Sequence, residues 1–302
     1  MSKKNYGNFA KLLRLFIAFL KNKKYYPQNI YKSIFRNRYK DEWGRCSCCG
    51  KFTGFKYVKY YDMSSNVVQS CQWDEIFTEV INVTNTLDCY FCSAKFRTRC
   101  AAESLLKFFQ NEKIVSIKDF IKHVEEDNSN IAILETGSTG GVFSSYQGLK
   151  NIIKSEYYDD LERGSHKNNI RSEDLQNLTF DSDMFDAVIS LDVFEHIPDP
   201  WKAFSEVNRV LKHGGIGIIT VPIDMRNKST TRLAKIENDN VKHFRKPCYH
   251  LDPLREEGTL VFTDFGTDIV SKLKEQGYKS SFDTYKTKKT NVVQLVILIQ
   301  KS

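Results

Sequence analysis

Four of the eight cysteines in this 302-residue chain are arranged in pairs with the spacing of metal-binding turns. Cys46 and Cys49 form the first CxxC pair, followed by Gly50, and Cys89 and Cys92 form the second. Each pair presents two thiolates from one tight turn, and four thiolates close a tetrahedral zinc site with no open position. The pattern predicts one structural zinc ion. Cys48 is an alternative to Cys49 as a ligand, and redox chemistry is an alternative that one CxxC pair would satisfy.

A glycine-rich turn is the second candidate for chemistry. It runs from Glu135 through Gly137, Gly140 and Gly141, directly after the apolar residues 131–134. Glycines let the backbone turn tightly and approach a bound ligand without a Cβ clash. A turn of this kind after a strand is weak evidence by itself, because a tight turn without a ligand has the same pattern.

Two acidic residues further along the chain strengthen the prediction of a cofactor site. Glu156 ends the next apolar run, where a carboxylate can accept hydrogen bonds from both hydroxyls of a ribose. Asp174 follows a third expected strand, where an acid can accept from an adenine amino group. The three features together predict a site for an adenosine-containing cofactor.

The most specific pattern extends from Phe185 to Pro222. An apolar run is followed by Asp192-Val193-Phe194-Glu195-His196-Ile197-Pro198, a helical segment, Arg209-Val210-Leu211-Lys212-His213-Gly214-Gly215 and a further apolar run. This stretch resembles class I S-adenosylmethionine-dependent methyltransferases of the type 11-like group, and the resemblance covers roughly residues 131–300. It also resembles a bacterial subgroup that often accompanies glycan biosynthesis, through Ser155-Glu156-Tyr157 and the segment from Tyr249 to Phe262.

The resemblance implies a role for each matching residue. Glu135 and Gly137 would shape the methionine end of the site, and Glu156 would hold the ribose. Asp174 and Leu175 would frame the adenine, and Asp192 and Val193 would line the side of the methyl donor. Gly140 and Gly141 would complete the turn, although Thr139 stands where the family pattern has a glycine. S-adenosylmethionine has no pyrophosphate, so its site tolerates a looser glycine pattern than a nicotinamide dinucleotide does.

Methyl transfer is an in-line displacement at an activated carbon, and an oxygen or nitrogen acceptor can also need a base. The candidates for that base are His196, His250, Asp192 and Asp252. We favour His250, which follows a long insertion expected to cover the acceptor side, with Asp252 to orient its ring. Structural roles for both histidines are the alternative. Four cations of the insertion could meet an anionic acceptor or form a solvated face: Arg226, Lys228, Arg232 and Lys235.

Alternation of apolar runs and helical patterns predicts a doubly wound, mostly parallel sheet, which the resemblance makes a seven-stranded Rossmann-like α/β fold. The expected strands are 131–134, 151–155, 185–191, 216–221 and 292–299, and helices are expected over 200–211 and 268–276. We divide the chain into a basic arm (1–44), a zinc-ribbon-like domain (45–100), a helical connection (101–127) and the methyltransferase domain (128–302).

Charge is concentrated at the start of the chain. The net charge is +8, and residues 1–45 hold twelve basic and two acidic residues, so the remainder is slightly acidic. The arm is interpreted as an amphipathic helix packed on the protein; peripheral contact with anionic lipids and contact with nucleic acid are weaker alternatives. Lys95, Arg97 and Arg99 could also touch nucleic acid, but a solvated helix start is favoured.

Cysteine usage favours a reducing, cytoplasmic setting, with Cys71, Cys100 and Cys248 as small buried apolar residues. No run of 18 apolar residues predicts a transmembrane helix. The leading functional hypothesis is methylation of a small-molecule or glycan-linked acceptor. An RNA or protein methyltransferase that reads its substrate with the ribbon, and a binding protein without turnover, are the alternatives; the sequence does not define the oligomeric state.

Overall fold

A computed structural model describes residues 42–302, except for 112, 127–129, 138–139, 147–148 and 253–254 and the side chains at 256 and 257. The predicted basic arm therefore lies outside the described residues, apart from its last three positions. Residues 41–302 form one compact unit. Among the described helices, none is long and apolar enough to cross a membrane.

The described helices are six α-helices and one 3-10 helix. They are α1 (Asn66–Cys71), α2 (Glu75–Thr84), α3 (Phe96–Phe109), α4 (Ile117–Glu126), the 3-10 helix Phe194–His196, α5 (Pro200–Val210) and α6 (Ile269–Glu275). The described strands are β1 (Glu42–Arg45), β2 (Phe52–Lys56), β3 (Asp88–Cys89), β4 (Ile133–Thr136), β5 (Ile152–Glu156), β6 (His166–Lys167), β7 (Ile170–Ser172), β8 (Phe185–Leu191), β9 (Leu211–Thr220), β10 (Thr231–Arg232), β11 (Ala234–Glu237), β12 (Asn240–His243), β13 (Tyr249–Asp252), β14 (Arg255–Leu260), β15 (Thr263–Asp264), β16 (Lys279–Lys286) and β17 (Val293–Gln300).

The central sheet contains the strands expected from the apolar runs. Its order is β16-β17-β9-β8-β4-β5-β7-β6, and the five strands from β9 to β7 are parallel. β4 has β5 on one side and β8 on the other, which makes the carboxyl end of β4 the topological switch point where ligands bind in such sheets. The prediction of a mostly parallel, Rossmann-like sheet is confirmed.

The sheet has eight described strands, so the predicted number of seven was wrong. The additional strand is β6, a two-residue edge strand that pairs antiparallel with β7. The connection between them is Asn168-Asn169, both with positive φ (52° and 63°). Two left-handed residues form the tight turn that suits a two-residue hairpin, and asparagine tolerates this conformation.

The cysteine-bearing segment, residues 42–95, contains a small antiparallel sheet of order β1-β2-β3. The two CxxC turns are called the knuckles below. The sequence between them predicted a ribbon of strands only, yet α1 and α2 lie there as well. Ser65 and Asp74 begin these helices, since each side chain accepts a hydrogen bond from an amide of the first turn. This segment therefore has an α+β structure, in which two helices accompany a three-stranded sheet.

Helix α3 connects the cysteine-bearing segment to the central sheet. It begins at Phe96, within the predicted ribbon, and runs without a break past the predicted boundary at residue 100. Its buried face includes Cys100, Ala101 and Leu105, which belong to the same apolar core as Ile189 and Ile218 of the sheet. Small residues at this face allow close packing, so α3 is one of the helices that cover the sheet.

Three short antiparallel strand pairs follow β9 and form the insertion predicted from the sequence. They pair β11 with β12, β13 with β14, and β10 with β15. The amide of Phe262 donates to the carbonyl of Glu195 at 2.7 Å, which holds the last part of the insertion against the 3-10 helix. The insertion therefore lies over the carboxyl end of β8.

Cys71 and Cys248 form a disulfide, so their prediction as separate apolar cysteines was wrong. The bond joins the end of α1 to the residue before β13, across a sequence separation of 177. Spacing along the chain gave no sign of it because the two partners meet only after the insertion packs on α1. Cys100 is buried, as predicted.

Candidate functional site

The four paired cysteines meet in space. The Sγ atoms of Cys46 and Cys92 are 3.7 Å apart, those of Cys49 and Cys89 are 3.8 Å apart, and all four lie within 4.8 Å of one another. Zinc at about 2.3 Å from each sulfur sets the edge of a tetrahedron at about 3.8 Å. The observed separations fit that tetrahedron, and the cluster contains Cys49 rather than Cys48.

The two turns that present these thiolates are alike. The amide of Gly50 donates to the carbonyl of Cys46 at 2.8 Å, and the amide of Ser93 donates to the carbonyl of Cys89 at 2.9 Å. Gly50 and Ser93 both have positive φ, 74° and 57°. The first turn uses glycine for this left-handed position. A cavity of about 280 Å³ lies between the knuckles and the glycine-rich turn, lined by Cys49, Cys92 and Gly140 among others.

Glu135 is the next-to-last residue of β4, and its side chain is fully buried beneath the glycine-rich turn. Both of its carboxylate oxygens accept from the amide of Phe143 at 3.2 Å. Burial raises the pKa of Glu135 to about 7. A Cβ on Gly141 would lie 2.5 Å from the Glu135 carboxyl carbon, so only glycine leaves room for this contact. Gly141 is thus required by packing rather than by its backbone conformation.

Gly137 and Val193 bring the ends of β4 and β8 together. Gly137 has φ +65°, and a Cβ there would lie 2.6 Å from Cγ2 of Val193. Gly140 has φ +79° and open space within 4 Å of its Cβ position, and its carbonyl accepts from the Thr98 hydroxyl at 3.0 Å. The described residues of the turn therefore contact Val193, which follows β8, and Thr98 of α3, and there is open space around the Cβ position of Gly140.

Asp192 lies directly after β8 in a left-handed conformation, with φ 54°. Its carboxylate accepts from the Thr220 hydroxyl at 2.8 Å and pairs with the guanidinium of Arg97. Arg97 also donates to the amide oxygen of Asn85, and its buried Nε atom has no hydrogen-bond partner among the described residues. Arg97 therefore places a positive charge on the expected methyl-donor side, a role that sequence reasoning missed.

The prediction of a solvated start for α3 was wrong. Arg99 is only 7% exposed, lies over the Phe55 ring at 3.7 Å and donates to the carbonyls of Leu87 and Ala94. Burial also lowers the pKa of Lys95. An arginine that is stacked and bonded in this way is not available to nucleic acid, so α3 does not present the basic stripe considered from the sequence.

Glu156 and Asp174 occupy the expected ends of neighbouring strands. Glu156 is the last residue of β5, is half-buried, and its carbonyl accepts from the amide of Glu173 at 3.0 Å. The Asp174 carboxylate caps the amide of Gln176 at 2.8 Å, and the side chain of Leu175 is buried. The cavity beside the knuckles is not lined by these three residues, so the structure does not bring every predicted cofactor residue into one enclosed space.

His196 and His250 lie together, as the catalytic prediction requires. Their ring centroids are 5.0 Å apart in an edge-to-face arrangement, and His250 also lies beside Trp73. Nδ1 of His196 is 2.9 Å from the carbonyl oxygen of Leu260. Because a carbonyl only accepts, Nδ1 carries the hydrogen and Nε2 is left as an acceptor. Burial lowers the pKa of His196.

Glu195 is a carboxylate beside His250 that was not predicted, and orientation of the ring by Asp252 stays a prediction. Nδ1 of His250 is 3.7 Å from Oε1 of Glu195, whereas Asp252 pairs with Arg255 at 2.8 Å and accepts from the Thr259 hydroxyl. Burial by itself raises the pKa of Glu195, but the neighbouring imidazoles outweigh it and the resulting pKa is lowered. Glu195 was visible in the sequence only as part of the family pattern.

All four insertion cations have partners. Arg226 pairs with Asp74 and Asp224, Arg232 donates to the carbonyls of Pro198 and Ala234, and Lys235 pairs with Glu237. Lys228 donates to the carbonyl of Met225 at 3.3 Å. These contacts favour a structural role over recognition of an anionic acceptor.

Part of the chain matches a known protein family. Residues 134–219, from β4 to the end of β9, match the family model described as a methyltransferase domain. No curated protein matches the chain. This part of the chain is therefore similar to that methyltransferase domain.

Several solved structures are also similar. One is the complex of the Haloferax volcanii Trm112 methyltransferase activator with a putative methyltransferase (TM-score 0.37, 14% identity, covering 67% of this chain and 96% of that one). A second is an S-adenosylmethionine-dependent methyltransferase from Mesorhizobium loti (TM-score 0.38, 14% identity, covering 60% of this chain and 96% of that one). A third is a putative S-adenosylmethionine-dependent methyltransferase from Listeria monocytogenes (TM-score 0.37, 15% identity, covering 61% of this chain and 97% of that one).

Proposed function

We propose that this protein transfers a methyl group from S-adenosylmethionine to a hydroxyl or amine of a small-molecule or glycan-linked acceptor. The observation that carries the proposal is the switch point of the sheet. There a glycine-rich turn without room for side chains at positions 137 and 141 meets acidic residues at the ends of β5 and β8. Glu156 would accept from the ribose hydroxyls, and Asp174 with Leu175 would frame the adenine.

The methionine part of the cofactor would lie at the glycine-rich turn. Arg97, whose Nε atom has no hydrogen-bond partner among the described residues, would attract the methionine carboxylate, and Asp192 would balance the positive sulfonium. In the transfer, the acceptor lone pair forms a bond to the methyl carbon as the carbon–sulfur bond breaks. The electron pair of that bond stays on sulfur, and the cofactor leaves as a neutral thioether.

The acceptor would bind under the insertion, where Glu195, His196 and His250 meet. A hydroxyl acceptor must lose its proton. This cluster would either accept the proton or promote its release to water. If His250 is the base, His250→Ala lowers turnover by about 10²–10⁴ without changing cofactor affinity.

We also propose that the four knuckle cysteines hold one zinc ion. Four thiolates leave no open position, so this zinc would be structural and would fix the loop that faces the glycine-rich turn. The sulfur separations near 3.8 Å support the proposal.

The reaction is tested by measuring release of S-adenosylhomocysteine with nucleotide sugars, small phenols, RNA and peptides as acceptors. Acceptor-dependent release with a small molecule or a sugar supports the proposal. Release with RNA or peptide alone would favour a macromolecular substrate. Binding of the cofactor without release in any arm would favour a binding protein.

A further inference from the structure

Glu195, His196 and His250 form a second group of potential metal ligands, separate from the four cysteines. One ligand atom from each residue lies within 4.8 Å of the other two. Oε1 of Glu195 is 3.6 Å from Nε2 of His196 and 3.7 Å from Nδ1 of His250. The carboxylate is buried, whereas the two imidazoles are 15–16% exposed, so the group opens to the outside only on the histidine side.

The Glu195 carboxylate is buried beside two imidazoles, neither of which lies within hydrogen-bond distance of it. Neither of its oxygens has a hydrogen-bond partner among the described residues. Nε2 of His196, which faces it, is an acceptor because Nδ1 donates to the carbonyl of Leu260. With a neutral His196, two acceptors therefore face each other across a gap that is too long for a hydrogen bond, and burial makes this unfavourable unless a proton or a metal ion lies between them.

The donor set is that of a transition-metal site. Two imidazole nitrogens and one carboxylate bind zinc in hydrolytic enzymes and iron in oxygenases, whereas magnesium and calcium prefer oxygen ligands. Metal–ligand distances of about 2.0–2.2 Å place neighbouring ligand atoms about 3.0–3.6 Å apart. The measured separations, 3.6 and 3.7 Å, lie at the upper limit of that range and just above it. The carbonyl of Leu260, which holds the His196 ring, has the position of the outer partner that usually orients a metal-bound histidine.

The neighbouring disulfide keeps His250 available for this role. The sulfurs of Cys71 and Cys248 also lie within 4.8 Å of a His250 nitrogen. A thiolate at that distance would compete as a ligand, but a disulfide sulfur carries no thiolate to coordinate a metal. The imidazole can then serve the Glu195 side.

We propose that Glu195, His196 and His250 bind a divalent transition-metal ion of the zinc class, which holds the hydroxyl oxygen of the methyl acceptor. Three protein ligands leave at least one position open for that oxygen, and coordination lowers its pKa so that the proton leaves to water. The oxygen lone pair then forms the bond to the methyl carbon as the carbon–sulfur bond breaks, with its electron pair retained by sulfur. The acceptor part of this inference rests on the proposed methyl transfer; the metal site does not.

The experiment titrates Zn²⁺ or Co²⁺ into full-length protein whose cysteine site has first been filled with zinc, without cofactor or acceptor. Calorimetry should detect one further equivalent in the wild type. Bound Co²⁺ should lack the thiolate charge-transfer absorption that a cysteine site produces. Glu195→Gln and, separately, His250→Ala should weaken this binding at least tenfold. His243→Ala, at an exposed histidine of β12, is the control and should bind as the wild type does.

Circular dichroism and thermal melting show which variants are folded, and either folded variant is sufficient for the test. A wild type that binds no further equivalent would overturn the inference, as would unchanged binding in a folded variant. Cofactor binding and methyl transfer with no further metal equivalent would overturn this inference and leave the proposed function intact. Metal binding at these residues without any cofactor binding would overturn the proposed function alone.

Discussion

The packing of Gly141 against Glu135 gives the most specific prediction about the cofactor turn. Gly141→Ala would place a Cβ 2.5 Å from the Glu135 carboxyl carbon, 2.5 Å from Oε1 and 2.8 Å from Oε2. The carboxylate cannot rotate away freely, because it is fully buried and both oxygens accept from the Phe143 amide. Either the turn or the carboxylate must move, and both are parts of the predicted site.

The magnitude follows from these contacts. Overpacking of a filled site costs about 1–3 kcal/mol. A loss of about 2 kcal/mol lowers Tm by roughly 4–8 °C in a unit of this size. If the turn moves, affinity for S-adenosylmethionine should fall at least about tenfold, which corresponds to about 1.4 kcal/mol.

Thermal melting and calorimetric titration with S-adenosylmethionine measure the two effects. The matched control is Gly214→Ala, since Gly214 has φ +78° and open space around its Cβ position. That variant should lose about 1–2 kcal/mol from backbone strain and keep its cofactor affinity. Wild-type affinity and stability in Gly141→Ala would refute the argument that this turn is fixed by the buried carboxylate.

Three further predictions concern the metal, the disulfide and pH. Cys89→Ser should release one zinc ion per chain by mass spectrometry and lower Tm; an intact, stable protein free of zinc would contradict it. Cys71→Ser should lower the free energy of unfolding by up to about 5 kcal/mol, because the disulfide closes a very long loop, and reductant should then have no further effect. The pKa of Glu135 is raised to about 7 by burial. The stability that its protonated side chain contributes is therefore fully present below pH 4.5 and is lost as the pH rises through 7. Stability of Glu135→Gln relative to the wild type should therefore increase by about 3 kcal/mol between pH 4.5 and 8, and a constant difference in denaturant titrations would contradict this.

The sequence was most informative where burial is continuous. Strands β4, β8 and β17 are apolar runs buried on both faces, and each was predicted within two residues. Strand β16 was not predicted, because it is an edge strand whose side chains alternate between buried and exposed and whose sequence, Lys279–Lys286, is largely polar. The helices α1 and α2 were missed because aromatic residues nearby favoured strands, although Ser65 and Asp74 are recognisable capping residues.

The candidate site shows the same division between local and long-range information. The knuckles and the glycine-rich turn depend on short spacings, and their residues are where the sequence predicted them. The pairing of Arg97 with Asp192 and the bond between Cys71 and Cys248 join residues far apart in the chain. A single sequence does not show contacts between residues that are far apart in the chain. Glu195 was therefore not predicted as a neighbour of His250, and nearby Asp252 was expected to orient its ring.

The central claim is that the switch point of the sheet binds S-adenosylmethionine, and calorimetric titration of the zinc-loaded protein tests it most directly. We expect saturable binding of one cofactor per chain. Glu156→Ala should weaken it at least tenfold, since each hydrogen bond to a charged group is worth about 1.5–3 kcal/mol. Glu162→Ala, at an exposed position nearby in the chain, should leave the affinity unchanged. Absence of saturable binding to the folded wild type, or wild-type affinity in Glu156→Ala, would contradict the account.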